Sequence, residues 1–310
     1  MYMNLLDFEY LRNNLDTSNL YGSDSCIANL FLLQTKYNTE LKIKNGILIR
    51  YYYGDENRTG YGFPIPIKSA DKSENWLSDA INVLIDDAHS QNRPLSFCIL
   101  TQEQKNQLDA CFATDFPHLS ADWKTNRDDC DYVYLRENLA ELPGSHYQKK
   151  RNHISRFKRT YGENWEFKAF PENDIAADIL QVSHKWFAEK HGESDQILQL
   201  EQQSIELALE NAELLGLRGG VLYINGEPAA MTLAAPISND VIDVIYEKSF
   251  GEFEKNGAYA VINQQFARRC QDFLYINREE DMGVEGLRKA KLSYKPTMIL
   301  EKFYCGGLIC

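Results

Sequence analysis

A run of acidic and amide side chains near the end of the chain is suited to hold a positively charged group. Asn277, Glu279, Glu280 and Asp281 follow directly after an apolar stretch, residues 273–276, that predicts a short strand. Side chains at the carboxyl end of a strand commonly face a cleft, where carboxylates can hold an amino group. Helix capping is the alternative, because Asp281 precedes a predicted helix and carboxylates stabilise helix N-termini.

A basic segment contrasts with the overall net charge of -12. Between residues 149 and 159 the chain carries Lys149, Lys150, Arg151, His153, Arg156, Lys158 and Arg159. Helical spacing places Lys149, Asn152, His153, Arg156 and Arg159 broadly opposite Tyr147, Ile154 and Phe157. Such a face can contact phosphate, and Arg288 and Lys291, three residues apart on a later predicted helix, can extend it into an anion pocket. A solvated helix face is the alternative.

Length and composition limit the classes of protein that the chain can represent. Its 310 residues suffice for two domains of about 150 residues each. Its apolar runs are shorter than the roughly 20 residues that cross a bilayer, and its start does not resemble a signal peptide. The acidic net charge disfavours indiscriminate binding to nucleic acid or anionic lipid, and we expect no DNA partner. We expect a cytoplasmic protein without integral membrane association.

Cysteine usage agrees with that expectation. The seven cysteines form no Cys-x-x-Cys pair, and no His or Cys spacing supports a zinc site. They are expected to be reduced, mostly buried thiols. We therefore predict no metal centre.

The second half of the chain predicts an ordered series of elements. A helix after Ser145, its predicted N-cap, is followed by a strand at 165–170 and by helices at 174–190 and 195–215. Asn225-Gly226 then predicts a type I′ turn inside a three-strand antiparallel meander. The predicted meander strands are 218–224, 228–236 and 241–249. A helix at 257–271, a strand at 273–276, a helix at 284–294 and a strand at 297–304 complete the series.

The first half of the chain predicts a similar series. Its hairpin turns at Asn45-Gly46, and a third strand, a helix, a strand, a helix and a last strand follow. Two Asn-Gly hairpins at matching places indicate a duplication. We predict a boundary near residues 136–145, with an N-terminal domain at 1–140 and a C-terminal domain at 141–310.

The order helix, helix, meander, helix, strand, helix, strand resembles the GNAT (acyl-CoA N-acyltransferase) fold. Residues 277–296, with the sequence NREEDMGVEGLRKAKLSYKP, and residues 147–154, YQKKRNHI, with Phe157, resemble a bacterial family grouped with the C-terminal domain of phosphatidylglycerol lysyltransferases. The resemblance covers nearly the whole chain. It implies an α+β fold of two tandem GNAT-like domains, with mixed, mostly antiparallel sheets flanked by helices, similar to Fem-type aminoacyltransferases.

The resemblance also implies an activity: transfer of an acyl or aminoacyl group to an amine or hydroxyl acceptor. The donor would be an aminoacyl-tRNA or an acyl-CoA, the active domain the C-terminal one, and the N-terminal domain degenerate. Membrane lysyltransferases carry a large hydrophobic domain before this module and residues 1–310 contain none, which argues against a lipid acceptor. A catalytically silent GNAT-like binding module is the alternative.

Coenzyme A is the cofactor that the fold suggests, in the form of a thioester. GNAT enzymes cradle its pyrophosphate in a loop that corresponds here to residues 252–260, with Gly257 for close backbone approach and Lys255 for charge. The usual Arg/Gln-x-x-Gly-x-Gly/Ala pattern is not met, and Glu252 and Glu254 would repel phosphate. A helix start capped by Asn256 is the alternative.

Two residues are the catalytic candidates that the resemblance implies. Glu247, on the third meander strand, lies where an acceptor amine would be deprotonated, so it is the candidate general base. Tyr294, four residues after Ala290, lies on the predicted helix where GNAT enzymes often place a tyrosine that protonates the leaving group. The alternatives are an exposed carboxylate paired with Lys248 or Arg288, and a tyrosine packed at the end of a helix. Lys149, Arg151, Arg288 and Lys291 would bind the phosphates of the donor.

Overall fold

The computed structural model describes residues 5–54, 57–68, 75–191 and 194–308, and contains two mixed β-sheets flanked by helices. The helices are α1 Leu5–Asn14, α2 Ile27–Leu32, α3 Trp76–Ser90, α4 Gln102–Asp115, α5 Arg136–Glu141, α6 Gln148–Tyr161, α7 Ala176–Glu189, α8 Gln196–Glu210, α9 Ala212–Leu215, α10 Gly251–Lys255, α11 Ala258–Arg269 and α12 Glu285–Leu292. The strands are β1 Thr39–Lys44, β2 Ile47–Tyr53, β3 Thr59–Tyr61, β4 Ile65–Pro66, β5 Phe97–Leu100, β6 Lys124–Thr125, β7 Asp131–Leu135, β8 Trp165–Phe170, β9 Arg218–Ile224, β10 Glu227–Pro236, β11 Val241–Ser249, β12 Tyr275–Asn277, β13 Met298–Leu300 and β14 Phe303–Cys305.

Both predicted hairpins are confirmed. Asn225 and Gly226 have φ values of 53° and 81°, and Asn45 and Gly46 have values of 52° and 74°. Positive φ at both central residues is the requirement of a type I′ turn. The predicted N-cap at Ser145 is wrong. A 3₁₀ turn, Ser145–Tyr147, comes first, and α6 begins at Gln148 without a capping side chain.

The two sheets exchange strands along the chain. The first sheet has the order β1-β2-β3-β5-β14-β6, with β4 paired to β2, and the second has the order β13-β7-β12-β11-β10-β9-β8. The single strand predicted at 297–304 is therefore two strands: Met298 pairs with Val133 in the second sheet, and Phe303 pairs with Leu100 in the first. Each sheet thus contains a strand from the other side of residue 140. The division into domains at that residue stays a prediction.

The second sheet is covered on both faces. On one face, Met231 and Leu233 of β10 belong to a core with buried residues of α1, α2, α7 and α8. On the other face, Leu222 and Ala230 pack with α5, α6 and α11. The first sheet has its own core with α3 and α4. Within the described ranges, no helix has the length and apolar character to cross a membrane.

The second sheet opens between β11 and β12. The two strands are parallel and pair only at Val241↔Tyr275, Ile242↔Ile276 and Asp243↔Asn277. β11 continues to Ser249 beside β10, whereas the chain leaves β12 after Asn277. We call this opening the strand split. The side chains at the strand split, and those of the residues that follow β12, lie on both faces of the sheet.

Candidate functional site

An acidic cavity of about 310 Å³ lies between the two sheets at the strand split. Asn29 of α2, Thr39 of β1 and Tyr52 of β2 line one side, and Glu279 and Glu280, which follow β12, line another. Among the described residues that line it, the five carboxylates are those of Asp24, Asp129, Asp131, Glu279 and Glu280, and the three cationic side chains are those of Lys36, Arg58 and Lys302. The volume is at the lower end of the range for small-molecule sites.

The charges around this acidic cavity are unevenly neutralised. Lys302 is buried and lies 3.2 Å from Asp131 Oδ2. Burial raises the pKa of Asp131, but Lys302 and the donated Ser23 N–H outweigh it and hold that pKa below its usual range. By contrast, burial and then Glu280 raise the pKa of Glu279 to about 8. Burial, followed by Glu279 and Asp131, also raises the pKa of Asp243, which is fully buried on β11.

Three buried polar atoms at the acidic cavity or next to its lining have no hydrogen-bond partner among the residues that the structure describes. Asn29 Nδ2 donates to Asp243 Oδ2 at 2.7 Å and to Glu279 Oε1 at 3.0 Å, which fixes the orientation of the amide. Asn29 Oδ1, Asp243 Oδ1 and the hydroxyl of Tyr52 are buried without a partner. Asn29 Oδ1 can only accept a hydrogen bond, whereas the Tyr52 hydroxyl and a protonated Asp243 carboxyl can also donate one.

The backbone beside the acidic cavity is strained at two places. Ile99, which lines it, has a φ of 59°, and Glu279 has a φ of 53°. Positive φ is uncommon outside glycine and a genuine outlier for a β-branched residue. Such strain persists where the surrounding structure enforces it, and it is concentrated at functional sites.

Glu247 and Tyr294, the two catalytic candidates, lie on the opposite face of the second sheet. Glu247 Oε1 accepts a hydrogen bond of 2.8 Å from Arg278 Nη2, and Asn263 of α11 lies 3.5 Å from Oε2. The guanidinium carbon of Arg278 is 5.2 Å from the centroid of the Tyr294 ring. Burial raises the pKa of Tyr294 to about 12. Arg278 therefore brings the two predicted catalytic residues together, and Lys248 pairs instead with Glu201.

Four predicted binding residues organise the chain that leaves β12. Asn277 Nδ2 donates to Tyr21 O at 2.7 Å and to Asp131 Oδ2 at 3.0 Å. Lys291 is buried and donates to the carbonyl oxygens of Arg278, Glu279 and Glu280.

Asp281 and Arg288 close the same loop. Arg288 Nη2 lies 2.7 Å from Asp281 Oδ1 and 2.6 Å from Asp128 Oδ1. Hydrogen bonds from Arg288 lower the pKa of Asp281. Asp281 also accepts from the N–H of Gly283, and α12 begins without a side-chain cap. These contacts give both side chains partners within the protein, and their role in binding a donor stays a prediction.

Some charged residues of the basic helix α6 are exposed, and others donate hydrogen bonds within the protein. Lys149, Asn152 and His153 are exposed. Arg151 instead donates to the carbonyl oxygens of Leu142 at 2.5 Å and Gly144 at 2.7 Å, and so holds the loop before the helix. As phosphate contacts these residues stay predictions.

The turn between α10 and α11 is packed against α6. Arg156 donates to the carbonyl oxygen of Lys255, and Asn256 Nδ2 lies 3.2 Å from the Tyr161 hydroxyl. Gly257 has a φ of 99°, and a Cβ there would lie 3.0 Å from His153 O. Asn256 does not cap α11. The close backbone approach predicted for a pyrophosphate is thus made by a helix of the same chain.

Replacing Gly257 by Ala is expected to lower the free energy of unfolding by roughly 1–2 kcal/mol, because an L side chain at positive φ is strained. Chemical denaturation would measure the loss. Gly286→Ala, where a Cβ meets no atom within 4 Å, is the control. An unchanged stability together with weaker coenzyme A binding would instead support the pyrophosphate role.

Sequence reasoning missed most of the acidic cavity. Asn29, Tyr52, Asp131, Asp243 and Lys302 come from distant parts of the chain, and none belongs to a local motif. One signal was present. Asp243 is a single carboxylate within an otherwise apolar stretch, residues 241–246; such a stretch indicates a strand covered on both faces, where a carboxylate is found only with specific partners.

Comparison with known proteins adds a family and a fold. The family model "Phosphatidylglycerol lysyltransferase, C-terminal" matches residues 16–306. A Bacteroides thetaiotaomicron protein of unknown function is 32% identical, with a TM-score of 0.84 over 98% of each chain. L-PGS from Bacillus licheniformis is 13% identical, with a TM-score of 0.60 over 97% of this chain and 90% of that one.

The fold extends to Fem-type proteins. FemX is 7% identical, with a TM-score of 0.57 over 98% of this chain and 96% of that one. The predicted α+β fold, GNAT-like and Fem-type with mixed sheets flanked by helices, is confirmed. So is the resemblance drawn from residues 147–154 and 277–296.

Proposed function

Because this chain belongs to the family of phosphatidylglycerol lysyltransferase C-terminal domains, we propose that it is an aminoacyltransferase that holds the aminoacyl group in the acidic cavity. The observation that carries the proposal is the excess of carboxylates over cationic side chains among the described residues that line this cavity. An aminoacyl ester carries a free α-ammonium group, which brings one positive charge and three N–H donors. It would therefore lower the cost of ionising Glu279 and pair with Asn29 Oδ1.

Aminoacyl-tRNA is the donor that we propose, in preference to acyl-CoA. The turn that would bind the pyrophosphate of coenzyme A is packed onto α6, where Gly257 approaches His153 O. The same helix presents exposed Lys149, Lys158 and Arg159, which suit the phosphates of a nucleic acid. The acceptor is an amine or hydroxyl.

The proposed chemistry is attack of that acceptor on the ester carbonyl carbon. A general base removes a proton from the acceptor, the bond between carbonyl carbon and ribose oxygen breaks, and a general acid protonates the departing oxygen. Glu247 is our proposed base. It lies on the opposite face of the sheet from the acidic cavity, so the ester carbonyl would reach it through the strand split, where the adjacent residues Arg278 and Glu279 contact the two faces. Tyr294 is our proposed acid, since burial raises its pKa to about 12 and keeps its proton in place until an alkoxide forms.

The test follows release of a labelled amino acid from charged tRNA, with water and added primary amines as acceptors. The variant Glu247→Gln/Tyr294→Phe is expected to lose at least about 100-fold in rate, as removal of acid–base catalysis usually does. Its melting temperature and its affinity for charged tRNA should be retained. Acetyl-CoA serves as the control donor and should not be used.

Two outcomes would contradict the proposal. Full activity in the double variant would reject Glu247 and Tyr294 as the catalytic pair. Stoichiometric binding of charged tRNA by the wild-type protein, without transfer to any acceptor, would favour the catalytically silent binding module.

A further inference from the structure

Two cationic side chains meet at one aromatic ring on the face of the second sheet that lies opposite the acidic cavity. Lys150 Nζ lies 3.7 Å from the centroid of the Tyr294 ring, and the guanidinium carbon of Arg278 lies 5.2 Å from the same centroid. Lys150 is half-buried in the first turn of α6. Two cations that contact the same ring repel each other, and an anion near both would relieve that repulsion.

The carboxylate that faces this pair is Glu247, which bonds to Arg278 at 2.8 Å. Within the part of the chain that the structure describes, Lys150 has no carboxylate within salt-bridge distance. His153 and Arg156 follow it on α6, and each adds donors of its own. Burial, and then Arg278, lower the pKa of Lys150 to about 8, against the opposing effect of Glu247. The group of side chains is therefore short of negative charge.

We infer that Lys150 and Arg278 form an oxyanion-binding site that takes a phosphate group of the donor. This inference rests on the proposed function, and it adds a second contact between the protein and the donor. Neither residue is among the phosphate binders that the sequence predicted. Phosphate is the match because Lys150 offers three donors and Arg278 keeps donors that Glu247 does not use.

The strand split relates this oxyanion site to the acidic cavity. Glu247 faces α11 through Asn263, whereas Asp243 on the same strand faces α2 through Asn29. Beyond β12, the adjacent residues Arg278 and Glu279 likewise reach opposite faces. A donor with phosphate at one end and ammonium at the other therefore matches the charges on the two faces of the split.

The test measures binding of inorganic pyrophosphate and of acetate by calorimetry at low ionic strength, without any transfer reaction. Lys150→Met is expected to weaken pyrophosphate binding at least 10-fold, and Lys150→Arg to restore most of it. Lys289→Met removes a lysine of α12 whose side chain is 73% exposed, and should change the affinity less than 2-fold.

Three outcomes would overturn the inference. These are no measurable binding of pyrophosphate to the wild-type protein, equal losses in Lys289→Met and Lys150→Met, and acetate binding tighter than pyrophosphate. The last result would assign the site to a carboxylate of the acceptor. If pyrophosphate binding depends on Lys150 but charged tRNA is not used, the proposed function fails while the oxyanion site stands.

Discussion

The variant Glu279→Gln is expected to be more stable than the wild-type protein at pH 8 and to bind aminoacyl esters more weakly. Burial and Glu280 raise the pKa of Glu279 from 4.5 to about 8, so the folded state holds a proton that the unfolded state releases. Stability from this group is therefore full below pH 4.5 and falls as the pH rises toward 8. Glutamine does not ionise, so the variant avoids the loss of stability as the pH rises. Its side-chain oxygen can still accept the hydrogen bond from Asn29.

The expected gain at pH 8 is about 1–3 kcal/mol in the free energy of unfolding. Urea denaturation at pH 5 and pH 8 would measure it, because the gain should be small at the lower pH. Binding of lysine methyl ester and alanine methyl ester should weaken at least 10-fold. Glu285→Gln, at a side chain that is 78% exposed, is the control and should change neither quantity. A variant that lost stability at pH 8, or kept its affinity for the esters, would contradict the assignment.

Replacing Lys302 by Met is expected to cause the largest loss of stability, about 3–5 kcal/mol, because it leaves buried carboxylates without their cation. The Lys302 ammonium bonds to Asp24 and lies 3.2 Å from Asp131 Oδ2. All three side chains have an exposed fraction below 10%. Lys302 also stands between β13 and β14, which belong to different sheets.

Chemical denaturation at pH 7 would measure the loss, with Lys289→Met, at a side chain that is 73% exposed, as the control. Lys302→Met/Asp131→Asn should recover part of the stability, since it removes one of the carboxylates that the first change leaves unpaired. A loss below about 1 kcal/mol in the single variant, or a double variant less stable than the sum of the single changes, would argue against the charge pairing.

Elements set by local sequence could be predicted, and contacts between distant segments could not. Asn225-Gly226 fixes its hairpin because the turn depends only on the φ values of those two residues. The meander around it was predicted to within one residue. The last strand was predicted as one, because nothing in residues 297–304 reveals that Met298 and Phe303 pair in different sheets.

The same distinction applies to the site. The acidic run after β12 marks Glu279 as a candidate, because a carboxylate at the end of a strand is visible in the sequence. Its partner Asn29 is 250 residues away, so only the packing of α2 against the strand split reveals the cavity. On α6 the sequence predicts which face is charged, but it does not show which groups the charged side chains contact. Arg151 bonds to loop carbonyls, and Lys150, absent from the predicted site, lies on Tyr294.

Because the sheets exchange strands, neither the part of the chain before residue 140 nor the part after it contains all the strands of its sheet. A gene that encoded only residues 141–310 would lack β7, so β12 would have an open edge and β13 would have no neighbour. A gene for residues 1–140 would lack β14 and leave β5 and β6 apart. Exposed strand edges favour aggregation. Cutting the chain at residue 140 is therefore expected to leave two pieces that each expose strand edges and aggregate.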